Sequence, residues 1–296
     1  MDETEGSEGG KNTFAKTFRI DDRIDSYKPF FDHGWAREMG AISKGREKLE
    51  ALIYDLALTF KGSSTVASIP QLSVDIAGRY AEGMELHRLD ESLTLKIVNH
   101  LAARVEQRMV LNSSEKGELT KVMLHIAEEL NDRASGKSIE FPRQELWDAF
   151  VKTEKGKESD DPKNEFRLAI WAAQRNTYSV LFFAYEDFLT SCLEIATGIE
   201  HRTGRGFGKK CEKTLGKQLT VECWDNNEIE TARLVRNALV HAGGRETSDL
   251  KQKKHGVELC EGVLQIMPTD IGNLFDLLKD RSRKLAHWAA TMPEFN

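Results

Sequence analysis

Apolar residues along this chain recur at intervals of three and four, which predicts helices rather than strands. Leu49, Leu52, Ile53, Leu56, Ala57 and Phe60 form one stripe on one helix face. Ile97, Val98, Leu101, Val105 and Met109 form a second. Leu119, Val122, Met123, Ile126, Ala127 and Leu130 form a third, opened by Ser113-Ser114 and stopped by Gly136. Such stripes bury against neighbours, and nothing in residues 26–135 carries chemistry. That stretch therefore reads as an amino-terminal helical domain of unassigned role.

The pattern then changes. Ser135 to Ile139 is small and polar, and Lys152 to Asn164 (KTEKGKESDDPKN) is charge-rich, so 136–161 reads as a linker with a short helix. Asp161 before Pro162 predicts an N-cap and a first helical residue. The helix they open should run to Thr197 and stop at Gly198, roughly 36 residues or ~54 Å at 1.5 Å per residue. Period-two alternation appears in Gly256 to Met267 (GVELCEGVLQIM), a tight hairpin turning at Glu261-Gly262. Pro268 ends it, and Thr269 is expected to cap a last helix carrying Ile271, Leu274, Phe275, Leu278 and Leu285. The expected fold is mostly α: an amino-terminal helical domain, then a carboxyl-terminal helical bundle over 162–292 with one inserted β-hairpin.

Composition adjusts this outline little. The 296 residues are 40% hydrophobic and 30% charged, enough to build ordinary cores in about two domains. The longest apolar run, Val180 to Tyr185, is six residues where a membrane helix needs about 20. The opening MDETEGSEGG is acidic and glycine-rich without an apolar signal core, so residues 1–25 read as a flexible tail and the expected compartment is the cytoplasm. Cys192, Cys211, Cys223 and Cys260 form no C-x-x-C pair, which suits free thiols better than a disulfide framework or zinc site. A net charge of −6 means that any nucleic-acid contact must come from a local basic patch.

The stretch with chemistry is Glu228 to Arg245, EIETARLVRNALVHAGGR. At about 100° per residue, Leu234, Val235, Ala238, Leu239 and Ala242 share a broad apolar face. Glu230, Arg233, Arg236, Asn237 and His241 take the other side, and Gly243-Gly244 ends the helix just beyond His241. A proton carrier, a permanent cation and an amide are thereby gathered at one helix end. Phosphodiester cleavage needs such a set: histidine moves protons near neutrality, and arginine meets the developing phosphorane charge with a planar fork of donors. The RNA 2′-hydroxyl can be the nucleophile, so no metal or cofactor is called for.

Arg236-Asn237-Ala238-Leu239-Val240-His241 resembles the R-N-x-x-x-H motif of the HEPN superfamily, helical domains that include many metal-independent endoribonucleases. A long helix containing FFAYEDFLTSCLEIATG before the motif, Gly-Gly after it, and a hairpin leading into a last helix agree with that resemblance over residues 160–290. The resemblance implies that Arg236 binds the scissile phosphate, that His241 is general acid or base, and that Asn237 holds the histidine or the phosphate. It implies cleavage of single-stranded RNA such as tRNA or mRNA, in a toxin or anti-phage effector answering to an antitoxin or regulatory protein. It also implies a homodimer in which two motif helices build one cleft. Members that have lost the motif act as non-catalytic interaction modules for RNA or protein, which is the alternative function.

Supporting residues carry two readings each. Glu186 lies on an apolar ridge with Phe182, Leu189 and Leu193 and needs a partner there. It is either a structural salt bridge or a fourth catalytic residue that meets Arg236 or His241. Residues 201–217 (HRTGRGFGKKCEKTLGK) carry Arg202, Arg205, Lys209, Lys210, Lys213 and Lys217 against Glu212 alone. They form either a solvated loop or a phosphate-tracking wall in which Phe207 stacks on a base, extended by Arg245.

Overall fold

A computed structural model describes residues 19–82, 96, 100, 103–104, 113–134, 142–152 and 162–293. They are mostly helical: α1 (His33–Ser43), α2 (Glu47–Ala67), α3 (Ser113–Ala134), α4 (Arg143–Val151), α5 (Pro162–Thr197), α6 (Phe207–Leu215), α7 (Lys217–Cys223), α8 (Asn227–His241), α9 (Ser248–Lys251) and α10 (Pro268–Thr291). Residues 69–82 are helical as well. The two strands, β1 (Glu258–Cys260) and β2 (Val263–Gln265), pair antiparallel. No described helix is long and apolar enough to cross a membrane.

The chain divides into two compact units: the described residues of 1–71 and 150–296 form one, those of 72–149 the other. Residues 26–135, expected as one domain, therefore fall in both. In the larger unit α5 is the spine, packed along one side by α2 and along another by α10. No glycine or proline interrupts α5 after Pro162, and Gly198 ends it with φ +66° while its N–H bonds the Glu194 carbonyl at 2.8 Å. Phe182, Leu189 and Leu193 of α5 share one buried cluster with Leu49, Ile53, Leu56 and Phe60 of α2 and with Leu274, Phe275 and Leu278 of α10. Trp35 of α1 stacks on Phe60 at 5.5 Å, and Phe60 meets Phe275 edge-on at 5.5 Å. The stripe on α2 thus covers the spine of the carboxyl-terminal bundle, because its apolar face and that of α5 exclude most water against each other.

The segment expected as a flexible tail to residue 25 is folded from residue 19 onward. Ile24 and Tyr27 are buried in a short 3-10 turn, and the Arg19 N–H donates to the Gln265 side chain at 2.7 Å. Residues 1–18, 97–99, 101–102, 105–112 and Asp161, and the side chains at 126–134, lie outside the described residues, and with them the whole of the second stripe and part of the third. In the smaller unit Trp147 and Met123 are buried, Val122 is exposed, and Arg143 pairs with Asp75 at 2.9 Å.

The hairpin turns where expected. Glu261 and Gly262 both have positive φ, +50° and +75°, the geometry of the primed turns that suit twisted antiparallel strands. The cap of α10 differs from expectation. Met267 occupies the N-cap position, Pro268 follows as the first helical residue, and the Asp270 carboxylate accepts from the Met267 N–H at 2.8 Å. Thr269 sits inside the helix, because proline is favoured at the first helical position and sets the start two residues earlier.

Candidate functional site

Helix α8 starts where the Asn226 side chain accepts from the Ile229 N–H at 2.9 Å. Its buried side is Ile229, Ala232, Val235, Arg236, Ala238 and Leu239. Arg236 was expected on the solvated arc with Asn237 and His241, yet it is only 8% exposed. The reason lies on α5. Arg236 is at the border of the apolar face, and α5 presents Glu186 there, 6% exposed and ion-paired with the Arg236 guanidinium. The guanidinium also lies over the Phe183 ring at 4.4 Å and near Phe182 at 5.3 Å. Burial raises the Glu186 carboxyl above its ordinary value, with Arg236 and Arg233 opposing the rise, and the same burial lowers Arg236. Of the five donors of the guanidinium, the buried Nε reaches no acceptor among the described residues.

The other end of the motif is open. His241 is the last residue of α8 and exposed, and Asn237 is half-buried. No described residue hydrogen-bonds either side chain. Arg236, Asn237 and His241 thus lie on one helix, with Arg236 sunk against α5 and His241 turned to solvent.

A fixed structure holds the end of α8. Gly243 and Gly244 have φ +61° and +83°, and the Gly244 N–H bonds the Ala238 carbonyl at 2.8 Å. A side chain at Gly244 would start 2.5 Å from Arg175 Nη2. The hairpin latches the same residues: Leu264 N–H donates to the Gly244 carbonyl at 2.8 Å, and Glu246 N–H to the Gly262 carbonyl at 3.0 Å. His255 Nε2 meets the Glu246 carboxylate at 3.0 Å beneath this latch.

Sequence reasoning did not single out Arg175. It donates from Nη2 to the Leu239 carbonyl at 3.3 Å, stacks over Trp171 at 4.4 Å, and is lowered in pKa by burial. A cation at the carboxyl end of α8 is favoured by the helix dipole. The apolar ridge that pointed to Glu186 gives no such signal at Arg175, which the sequence flanks with Gln174, Asn176 and Thr177. Arg175 borders an open groove of about 610 Å³ between α5 and the end of α8, walled by Val180, Phe183, Leu239 and Val240. Val180, Phe183 and Val240 are 43%, 43% and 44% exposed, so apolar surface lies beside the polar motif.

The basic stretch takes a different form from the one expected. Residues 207–215 are a helix, α6, and Phe207 is buried at its start, meeting Trp224 edge-on at 4.8 Å. Phe207 is therefore core and cannot stack on a base. The basic stretch read as a loop follows helical spacing: Phe207, Cys211 and Leu215 face inward, while Lys209, Lys210 and Lys213 are exposed. Arg202 and Arg205 stay exposed in the preceding loop, Arg202 paired with Glu200 at 2.8 Å, and Arg245 is exposed beside the hairpin. No group of three or more His, Cys, Asp or Glu among the described residues is placed to hold a metal ion.

No family model, curated protein or solved structure matches the chain.

Proposed function

We propose that this protein is a metal-independent endoribonuclease that cleaves single-stranded RNA, tRNA or mRNA, through attack of the 2′-hydroxyl. The observation that carries the reading is the Glu186–Arg236 pair. A guanidinium seated on Phe183 and held by a buried carboxylate is preoriented, and it shares its helix with half-buried Asn237 beside it and exposed His241 five residues on. Preorganised charge is what stabilises a phosphorane without reorganisation during reaction. In the step, one His241 takes the 2′-hydroxyl proton, the 2′-oxygen bonds phosphorus, and the bond to O5′ breaks as a second, protonated histidine gives O5′ its proton. The second histidine is the partner subunit's His241, since one chain supplies one motif. Val180, Phe183 and Val240 are the apolar surface for that partner, and Lys209, Lys210, Lys213, Arg202, Arg205 and Arg245 track the RNA backbone. The resemblance to the HEPN motif supports this reading and a toxin-like or anti-phage role in the cytoplasm.

The second reading is a non-catalytic module that binds RNA or a partner protein. It is favoured by the near-complete burial of Arg236 and by the same exposed apolar groove. Incubation of labelled RNA with purified protein in EDTA separates the two. Cleavage to a 2′,3′-cyclic phosphate and a 5′-hydroxyl is expected, and His241→Ala should lose it by about a factor of 10²–10⁴, the share of general acid–base catalysis. Cleavage that appears only with added Mg²⁺ overturns the mechanism, and no cleavage under any condition selects the module. Sedimentation should show a dimer that Val240→Asp converts to an inactive monomer.

A further inference from the structure

Arg233 is one turn before Arg236 on α8, half-buried, and its guanidinium lies 5.1 Å from the centre of the Trp224 ring. It has no carboxylate within ion-pair distance among the described residues. The acidic groups of its own helix are taken: Glu230 binds Lys253 at 2.6 Å, and Glu228 binds Arg281 at 3.0 Å. Across the neighbouring helices, Glu222 binds Lys284 at 2.9 Å, and Glu186 is held by Arg236. Both arginines act on Glu186, and Arg233 also repels charge on Arg236. Arg233 thus stands without an ion-pair partner among the described residues, one turn from an Arg236 whose Nε is also partnerless.

We propose that Arg233 and Arg236 form a two-guanidinium clamp for a phosphodiester, with Arg233 the second phosphate-binding residue of the site. Trp224 is what fixes Arg233. Its indole is 5% exposed and braced by Phe207, so the ring is a rigid platform, and a guanidinium stacked on it keeps its donor edge free for an anion. The same bracing connects the clamp to the basic helix. Phe207 opens α6, whose outer face carries Lys209, Lys210 and Lys213, so contacts run from the lysine helix through Phe207 and Trp224 to Arg233, one turn before Arg236 on α8. The substrate enters along the lysines, is gripped at Arg233, and presents the next phosphate to Arg236. This rests on the endoribonuclease reading for the chemistry, but the clamp itself is a statement about binding.

The test measures binding without cleavage. The full chain is titrated into a fluorescent single-stranded RNA carrying 2′-O-methyl groups at every position, across a series of salt concentrations. Arg233→Gln should weaken binding about tenfold, one charge-assisted contact's worth. The same change should shallow the slope of log affinity against log salt by about 0.7, one phosphate contact on a single strand. Arg233→Lys should keep the slope and lose about threefold, since it retains charge but not the stacked fork. Binding by Arg233→Gln at wild-type affinity and slope overturns the clamp even if the wild type cleaves RNA. Weakened binding in a protein that cleaves nothing leaves the clamp standing and removes the nuclease. Should Arg233→Gln fail to fold, Arg233→Lys decides: wild-type affinity there shows that guanidinium geometry is unused. A wild-type protein that binds no RNA overturns both.

Discussion

Two sets of cations flank the candidate site, and they are held in opposite ways. Arg236 is buried, paired with Glu186 and seated on Phe183. Lys209, Lys210 and Lys213 stand in water on the outer face of α6. The first is part of the core as much as of the site, whereas the second can change without the core noticing. Loss of activity therefore means different things in the two places. At Arg236 it is confounded with stability, because removing one member of a buried pair leaves the other charge uncompensated. At the lysines, and at exposed His241, it is not.

The largest expected effect breaks the buried side. Arg236→Ala should destabilise the protein by about 3 kcal/mol or more, read by urea unfolding. The double variant Glu186→Leu, Arg236→Met should recover much of that loss, since apolar replacements need no partner. Equal losses in the single and double variants would show that the ion pair contributes nothing specific. The exposed side should answer differently. Replacing Lys209, Lys210 and Lys213 by Gln should leave unfolding within about 0.5 kcal/mol of wild type. It should shallow the salt dependence of single-stranded RNA binding by up to about 2, the sum of three phosphate contacts. Unchanged affinity and slope would make α6 ordinary solvated surface.

The smallest effect sharpens the comparison through pH. Burial holds the Glu186 carboxyl above its ordinary 4.5. A raised folded-state pKa means the folded protein binds the proton more tightly, so the stability this group contributes is present in acid and falls as pH rises through the raised value. Glu186→Gln does not titrate. Wild type should lose stability relative to the variant as pH climbs above the ordinary carboxylate range, followed by thermal melting. Asp270, also raised by burial, and Asp32, lowered by backbone hydrogen bonds, titrate alike in both proteins and cancel in the difference. A gap that does not vary with pH would show that Glu186 is not desolvated as its burial implies.

The long helix, the end of α8 and the hairpin turn were legible because local chemistry settles them, whereas α6 reads as a loop. An uninterrupted run of helix formers between Pro162 and Gly198 made α5, Gly243-Gly244 ended α8, and Glu261-Gly262 turned the hairpin. The chain alone also placed His241 at a helix end and required a partner for Glu186. Which partner, and what else meets whom, depended on residues far apart in sequence. Arg236 sits at the border of a helical face, where a few degrees of docking against α5 decide between water and core. Phe207 reads as a loop aromatic until Trp224 covers it. Arg175 acquires its place only when the end of α8 is laid across α5. The stripe of α2 is apolar whatever it covers, and only packing shows that it covers the spine of the carboxyl-terminal bundle. Periodicity tells a chain which face must leave water; it carries no address for the surface that will receive it, because burial is rewarded by area removed from solvent and not by sequence distance.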